Sequence, residues 1–194
     1  MKVFALTAVV AVAAVVVGAC AATPDNGRVP GSPPADTFRD APSAIVAQAA
    51  LLDATGGPIG LATFTEQRQN LRIDLRITKL TPGKHGVHIH EAGKCDGPDF
   101  MTAGGHFNPL AKVHGVLSEK GPHAGDLPNI EIGQDGHGTL TAFTSLLNLA
   151  PGSVFSLLGT GGRAIVVHKD QDDEKTDPTG NSGGRVACGI IKKV

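Results

Sequence analysis

The chain has 194 residues, of which 41% are hydrophobic and 18% charged, the balance of a globular protein rather than a disordered one. Its 17 Lys and Arg against 18 Asp and Glu give a formal charge of −1, which leaves no basic excess for a phosphate backbone, so we expect no nucleic-acid partner. The only aromatic residues are seven Phe, which argues against stacking on bases or sugars. Eight His outnumber three Cys, and the positions of these His carry most of the functional signal.

Residues 1–19 have the pattern of an export signal. Lys2 is the only charge in an apolar stretch that ends in the sequence VGAC at 17–20. A charged start, an apolar core and small residues before a cleavage point are typical of a secretory signal peptide. The VGAC segment resembles a bacterial lipobox, in which Cys20 takes up a lipid and becomes the mature N-terminus. We therefore expect an exported protein of the cell envelope, in the periplasm or on the extracellular face, that is lipid-anchored to a membrane.

A plain transmembrane anchor is the alternative for this segment, since the apolar stretch through Ala22 is just long enough to span a bilayer. The next residues, 20–42, carry the lipidated Cys followed by five Pro and no hydrophobic periodicity, which predicts a flexible tether. A folded N-terminal extension is the other interpretation. The compact domain is predicted to be residues 43–194, long enough for a proper core.

Within this domain the sequence predicts short strands and turns. The clearest strand is 71–78, where apolar and polar residues alternate strictly, so that one face is buried. Residues 45–53 and 59–65 flank a glycine-containing turn and predict a hairpin. The further predicted strands are 86–91, 129–132, 139–144, 163–168 and 185–191, with one helical turn at 146–149. Eight short strands without a long amphipathic helix favour an all-β fold, an eight-stranded antiparallel Greek-key β-sandwich or flattened barrel.

Two long segments, 92–127 and 169–184, do not have a strand pattern. Loops of this length inside a compact domain are usually functional or disordered. The first carries His106, His114, His123 and Asp126, whose three imidazoles and one carboxylate supply the four ligands of a tetrahedral zinc site. A polar loop with incidental His is the alternative interpretation.

His88 and His90 lie two residues apart in a predicted strand, which places both rings on one face. Such a pair either chelates a metal or lies on a wet surface. His168 ends a buried apolar run, and together with the pair and one loop His it makes a four-nitrogen set that suits copper. Cys95 and Cys188 remain once Cys20 is lipidated, and in an exported domain they predict one disulfide, although two buried thiols are the alternative.

These residues fall in motifs that resemble the copper–zinc superoxide dismutases, in order and with similar spacing over nearly all of the domain. The motifs are GVHIHE at 86–91, AGGHFNP at 103–109, HAGDLPN at 123–129, VVH at 166–168 and GGRVACG at 183–189. The resemblance is to the bacterial lipoprotein type of this family. It implies the β-sandwich fold, copper and zinc as cofactors, and superoxide, a small anion, as substrate.

The resemblance also implies a role for each site residue. The implied copper ligands are His88, His90, His106 and His168, and the implied zinc ligands are His106, His114, His123 and Asp126. His106 would bridge the two metals, and Arg185 would receive the anionic substrate. Asp172 would connect the two metal sites through their His ligands, with His85 as a structural residue behind the copper site. Cys95 and Cys188 would form the family's disulfide within one subunit.

The predicted function is therefore dismutation of superoxide to oxygen and hydrogen peroxide at a copper centre bridged through His106 to a structural zinc. The alternative is a non-catalytic lipoprotein on the same fold that binds or delivers copper. No Walker-type phosphate loop is present in the sequence. The resemblance allows a homodimer but does not specify an interface, because bacterial and animal members do not share one.

Overall fold

The computed structural model describes residues 46–194. The predicted signal peptide 1–19, the lipidation residue Cys20 and the predicted tether 20–42 lie outside the described residues. The strands are β1 (Val46–Asp53), β2 (Pro58–Glu66), β3 (Leu71–Thr78), β4 (Gly83–His90), β5 (Asp126–Ile132), β6 (His137–Thr144), β7 (Ala164–His168), β8 (Arg185–Ile190) and the two-residue β9 (Lys192–Lys193). One short 3₁₀ helix, Met101–Ala103, lies in the first long loop.

Strands β1, β2, β3 and β6 form one wall of the fold, and each pairs with the next in antiparallel register. The predicted hairpin is confirmed, since Ala50 pairs with Leu61 across β1 and β2. In β3 the apolar residues are buried and the polar residues between them are largely exposed, as strict alternation predicts for a wall with one wet face. This half of the barrel therefore follows directly from the period-two pattern.

The other wall consists of β5, β4, β7 and β8. All five residues of β7 are buried, and so are the last six of β4. These two strands are covered on both faces because the long loops fold over their outer side. Burial on both faces removes the alternation from these strands. Strand β4 begins at Gly83 rather than at the predicted residue 86, because Gly83, Lys84 and His85 already pair with β5.

The strand order is β5-β4-β7-β8-β1-β2-β3-β6, with β9 beside β1. Because the connections from β3 to β4 and from β6 to β7 pass between walls, the topology is of the Greek-key type. The two strands at the ends of this order, β5 and β6, are joined by the turn at 133–136. They lie close together, since a Cβ on Gly138 of β6 would lie 2.5 Å from the Glu131 carbonyl oxygen of β5. The eight main strands therefore form a nearly closed antiparallel barrel, which confirms the predicted fold class.

The core lies between the two walls and is made of buried aliphatic side chains with Phe64 among the largest. The last residue of the chain also packs beside the first strand, since the backbone N–H of Val194 donates to the Val46 carbonyl at 3.2 Å. The two ends of the described domain are thus neighbours in space. Among residues 46–194 no helix is long and apolar enough to cross a membrane.

Two sequence expectations about local structure were wrong. Residues 146–149 do not form a helical turn, because Asn148 forms an isolated β-bridge with Ser156 and the N–H of Leu149 donates to Glu66. Leu147 and Leu149 are buried in the core, so their burial rather than a helix explains the apolar spacing. Strand β5 starts at Asp126, three residues before the predicted start, so Asp126 belongs to a strand and not to the loop.

Candidate metal centre

Four His side chains meet on the outer side of β4 and β7. His88 and His90 project from β4, His168 ends the neighbouring β7, and His106 comes from the first long loop through an isolated bridge with His90. Each offers a ring nitrogen within 4.8 Å of the other three, and all four residues are buried. The structure thus brings together the complete predicted copper set.

The nitrogens that point towards one another in this set lack ordinary hydrogen-bond partners. Nδ1 of His88 and Nε2 of His106 are buried without a partner, and Nε2 of His90 lies 3.4 Å from Nε2 of His168. The opposite nitrogens of His90 and His168 donate to the carbonyls of Gly104 and Gly183. Buried nitrogens left unpaired are costly unless something binds them, and four imidazole nitrogens suit copper.

Burial lowers the pKa of these rings and keeps them neutral. It lowers the pKa of His88 to about 3, that of His90 to about 2 and that of His168 to about 4. Neighbouring His rings add to the effect, while hydrogen bonds oppose it. A neutral imidazole keeps a lone pair for a metal, so the set is ready to bind a cation at neutral pH.

The predicted zinc set surrounds one carboxylate oxygen. Oδ1 of Asp126 lies 3.1 Å from Nδ1 of His106, 3.1 Å from Nδ1 of His114 and 3.2 Å from Nδ1 of His123. Nδ1 of His123 lies 3.4 Å from Nδ1 of His106. A tetrahedron with bonds of about 2.0–2.1 Å has edges of about 3.3–3.4 Å, so these four atoms fit a zinc ion.

His88 also lies within 4.8 Å of three members of the zinc set, His106, His114 and Asp126. Its Nε2, however, already donates to Asp172 at 2.6 Å, and its Nδ1 is the unpaired atom of the copper set. His123, by contrast, lies close to both Asp126 and His106. We therefore assign His123, and not His88, as the fourth member of the zinc set.

The two sets share the ring of His106. Its Nδ1 faces Asp126 among the zinc-set atoms, and its buried Nε2 has no partner and belongs with the copper set. His88 packs against this ring with 3.9 Å between the centroids. One imidazole therefore has a nitrogen in each set, which is the arrangement that a bridging ligand requires.

Asp172 connects the sets from behind. Its Oδ2 accepts from Nε2 of His88 at 2.6 Å, and its Oδ1 lies 3.0 Å from Nε2 of His114. A Cβ on Gly180 would collide with this carboxylate, so only glycine fits there, at φ 64°. Burial opposes ionisation of Asp172, but the contacts with His114 and His88 outweigh it and hold its pKa below the usual range.

The zinc-set carboxylate is ionised for a similar reason. Burial acts to raise the pKa of Asp126, but contacts with His106, His114 and His123 hold it far below its usual range. Burial acts to lower the pKa of His114, yet its contacts with Asp126 and Asp172 raise it to about 9. His114 thus carries a proton that a metal on its Nδ1 would have to displace.

His85 is buried on β4 and its ring joins three segments. Nδ1 lies 2.8 Å from the carbonyl oxygen of His168, and Nε2 lies 2.8 Å from that of Thr81. This contact fixes the end of β7, where His168 leaves the strand. The placement agrees with a structural position behind the copper set.

Arg185 lies at the start of β8 beside the copper set. Nη1 donates to the Phe100 carbonyl at 2.7 Å and Nη2 to the Gly104 carbonyl at 2.6 Å. The Gly104 oxygen also accepts from His90, so the guanidinium and a copper-set ring share one acceptor. Burial lowers the pKa of Arg185 from a very high value, and Asp99 opposes this shift, so the group stays charged.

A cavity of about 830 Å³, which we call the mouth cavity, opens onto His90, His106, His123, His168 and Arg185. Sequence reasoning missed other residues that line it. Among them are Asp99, Met101, Lys112 and Asp177. No local pattern marks them, because they are exposed loop residues that reach the cavity only when the two long loops fold over the barrel.

The predicted disulfide is confirmed. Cys95 and Cys188 are joined, across 93 positions of sequence, so that the first long loop is tied to β8. Cys188 is fully buried in a small cluster with Phe100, Ala103, Ala164 and Val166. The bond therefore holds the loop that provides both carbonyl acceptors of Arg185.

Comparison with known proteins agrees with this geometry. Residues 59–191 match the family model described as copper/zinc superoxide dismutase. The chain is 43% identical over 143 residues to superoxide dismutase (Cu-Zn) 1 of Aquifex aeolicus, covering 73% of this chain and 85% of that protein. It is also 43% identical over 139 residues to the Cu-Zn enzyme of Caulobacter vibrioides, covering 71% of this chain and 80% of that protein.

A crystal structure of a SOD-like protein from Bacillus subtilis has a similar fold, with a TM-score of 0.71 at 39% identity, covering 74% of this chain and 96% of that chain. Copper and zinc are the metals named for this family, and both fit the donor atoms described above. The match covers most of the described domain and both long loops. The chain belongs to the copper/zinc superoxide dismutase family.

Proposed function

We propose that the domain catalyses dismutation of superoxide to oxygen and hydrogen peroxide. Copper would be held by His88, His90, His106 and His168, and zinc by His106, His114, His123 and Asp126. The bound copper would supply one-electron oxidation and reduction, while zinc, which has no redox chemistry, would hold the bridging ring. The observation that carries the proposal is the single ring of His106, which has one nitrogen in each set.

Arg185 would attract and orient the anionic substrate in the mouth cavity. Two backbone carbonyl oxygens hold the guanidinium of Arg185 beside the copper set. Because these acceptors are carbonyls and not carboxylates, the positive charge is not neutralised by them. The formal charge of the chain is close to zero, so attraction must be local. A fixed cation in a narrow cavity concentrates field lines and raises the encounter rate with anions.

Peroxide formation consumes two protons, and the chain offers one atom beside the substrate that could carry one of them. Nε2 of His106 is buried, has no hydrogen-bond partner, and belongs to a residue that lines the mouth cavity. Its Nδ1 faces the zinc set, so the ring stays in place when Nε2 carries a proton instead of holding copper. The second proton would come from water in the cavity.

A purified full chain loaded with both metals tests the proposal. We expect one copper and one zinc per chain, and superoxide dismutation that disappears when His88→Gln removes a copper-set nitrogen. Copper bound without activity would instead support the non-catalytic copper-binding alternative. The complete set of four His together with Arg185 favours the enzyme, because a copper carrier needs no group to attract an anion.

We further propose that the enzyme is lipid-anchored through Cys20 in the cell envelope. The support is the apolar leader and VGAC segment, together with a disulfide, which persists in oxidising compartments. Mass spectrometry of the mature N-terminus should find acylated Cys20, and Cys20→Ala should release the protein from the membrane fraction. An unmodified Cys20 in the mature protein would contradict the anchor.

A further inference from the structure

A second cavity reaches the metal centre through residues other than those that line the mouth cavity. It is a cavity of about 230 Å³, which we call the rear cavity, lined by Gly115, Val116, Asp126, Leu127, Pro128, Asp172 and Glu174. None of these seven residues lines the mouth cavity. The zinc set is therefore approached from two sides, with His106 and His123 facing the mouth cavity and Asp126 facing the rear one.

The rear cavity lies where the two long loops cross. Gly115, at φ 95°, allows this crossing, because a Cβ there would collide with the backbone of Glu174. The N–H of Leu117 donates to the Glu174 carbonyl at 3.0 Å, and Asn129 reaches the Glu174 carboxylate at 3.4 Å. The half-buried side chain of Glu174 thus lies at the entrance, with two buried carboxylates behind it.

The two cavities differ in charge. The ionisable groups of the rear cavity are the carboxylates of Asp126, Asp172 and Glu174, and no cation is among its lining residues. An adjoining surface cavity of about 510 Å³ shares Asp172 and Glu174, and its one cation, Lys84, is outnumbered by acidic residues. The mouth cavity instead combines Arg185 and Lys112 with Asp99 and Asp177. A divalent cation is therefore drawn to the rear cavity more strongly than to the mouth.

We propose that zinc reaches its ligands through the rear cavity, with Glu174 as the first carboxylate that captures the ion, while the mouth cavity serves superoxide and copper. The path leads from Glu174 past Asp172 to Asp126, so each step offers the oxygen ligands that a hydrated zinc ion accepts. This inference rests on the proposed zinc set, and it adds a route to that set.

Blocking each cavity in turn tests the route. Val116 and Met101 line the rear and mouth cavities respectively and are 59% and 62% exposed, so Val116→Trp and Met101→Trp are matched plugs. Stopped-flow mixing of the metal-stripped full chain with Zn²⁺ alone measures the association rate. We expect Val116→Trp to slow zinc uptake by about ten-fold or more and Met101→Trp to leave it unchanged. In a parallel experiment with copper alone, Met101→Trp should slow copper uptake and Val116→Trp should leave it unchanged. Slowing of zinc uptake by Met101→Trp, by both plugs equally or by neither would overturn the route.

A charge variant keeps the test valid if a plug disturbs folding. Glu174→Gln preserves size but removes the capturing charge, and should lower the zinc association rate several-fold and weaken its dependence on salt. The matched control is Glu119→Gln, the same change at an exposed residue of the first long loop that lines neither cavity, and it should leave the rate unchanged. Equal rates for Glu174→Gln and the unaltered chain would overturn the capture role.

The same measurements separate failure of the route from failure of the site. If the unaltered chain takes up one zinc tightly but neither rear-cavity variant changes the rate, the route is wrong and the zinc set stands. If the chain binds no zinc, or binds it equally after Asp126→Asn, the zinc set itself is wrong.

Discussion

Nε2 of His88 donates to Oδ2 of Asp172 across 2.6 Å, the shortest of the contacts between the metal sets and their surroundings described above. The other oxygen of Asp172 lies 3.0 Å from His114. A single carboxylate thus orients one ring from the copper set and one from the zinc set. Such partners fix the tautomer and the direction of a metal-binding imidazole.

Asp172→Asn should therefore weaken both metals at once. An amide cannot accept from both rings as a carboxylate does, so we expect the affinity for each metal to fall by about 10- to 100-fold. Competition against a chelator of known affinity measures both constants. Asp170→Asn, on the same loop but exposed, is the control and should change neither. A loss confined to one metal would show that Asp172 does not couple the sets.

Arg185→Glu should slow dismutation without removing copper. The variant replaces the fixed cation by an anion next to the copper set, so kcat/KM should fall by on the order of ten-fold or more. The rate should then rise with added salt instead of falling, because salt screens repulsion. Arg76→Glu makes the same change of total charge on the exposed face of β3 and should leave the rate almost unaltered. Equal effects of the two variants would exclude a local role for Arg185.

Removing the disulfide should cost both stability and the shape of the mouth cavity. In the chain-entropy model a cross-link between residues 93 positions apart stabilises by on the order of 4–5 kcal/mol. Urea unfolding of a Cys95→Ala, Cys188→Ala double variant measures this loss against the oxidised chain. Because the freed loop holds Phe100 and Gly104, superoxide turnover should also fall under conditions where the domain stays folded. Unchanged turnover would mean that Arg185 is positioned without the bond.

Zinc binding should release a proton from His114. The pKa of this ring is raised to about 9 in the metal-free protein, so at pH 7–8 its Nδ1 side must lose a proton before it can bind a metal. Zinc affinity should consequently rise with pH up to about 9 and level off above it. Calorimetry in buffers of different ionisation enthalpy would detect about one proton released per zinc at pH 8. His114→Gln, which has no such proton, is the control, and equal proton release from it would assign the proton elsewhere.

The sequence predicted the fold best where one face of a strand meets water. The bounds of β3 were predicted without error because its polar residues alternate with buried ones. Strand β4 was predicted to start three residues late, since Gly83 and Lys84 are exposed and show no apolar alternation. Strand β5 was predicted too short because Pro128 and the residues around Asp126 resemble a loop. The predicted helical turn at 146–149 was wrong, because Leu147 and Leu149, the buried residues of this segment, are two positions apart, which is the spacing of an extended chain.

The residue pattern alone offered the zinc set and three His of the copper set, and the family resemblance supplied His106 as the fourth and as the shared ring. The distances between these side chains could not be predicted from the sequence, because His106 and His168 come together only through strand pairing and a folded loop. Lys112 and Asp177 were missed as lining residues of the mouth cavity for the same reason. Loop positions of this kind depend on tertiary contacts and leave no periodic signal.

The hydrogen bond between Val194 and Val46 has a practical consequence for engineering. Both ends of the domain emerge at one corner, so a short Gly-Ser bridge could join them and new termini could be opened at a surface turn. A circular permutant of this kind would keep every strand neighbour intact. A reporter fused after Val194 would, in turn, share that corner with whatever precedes Val46.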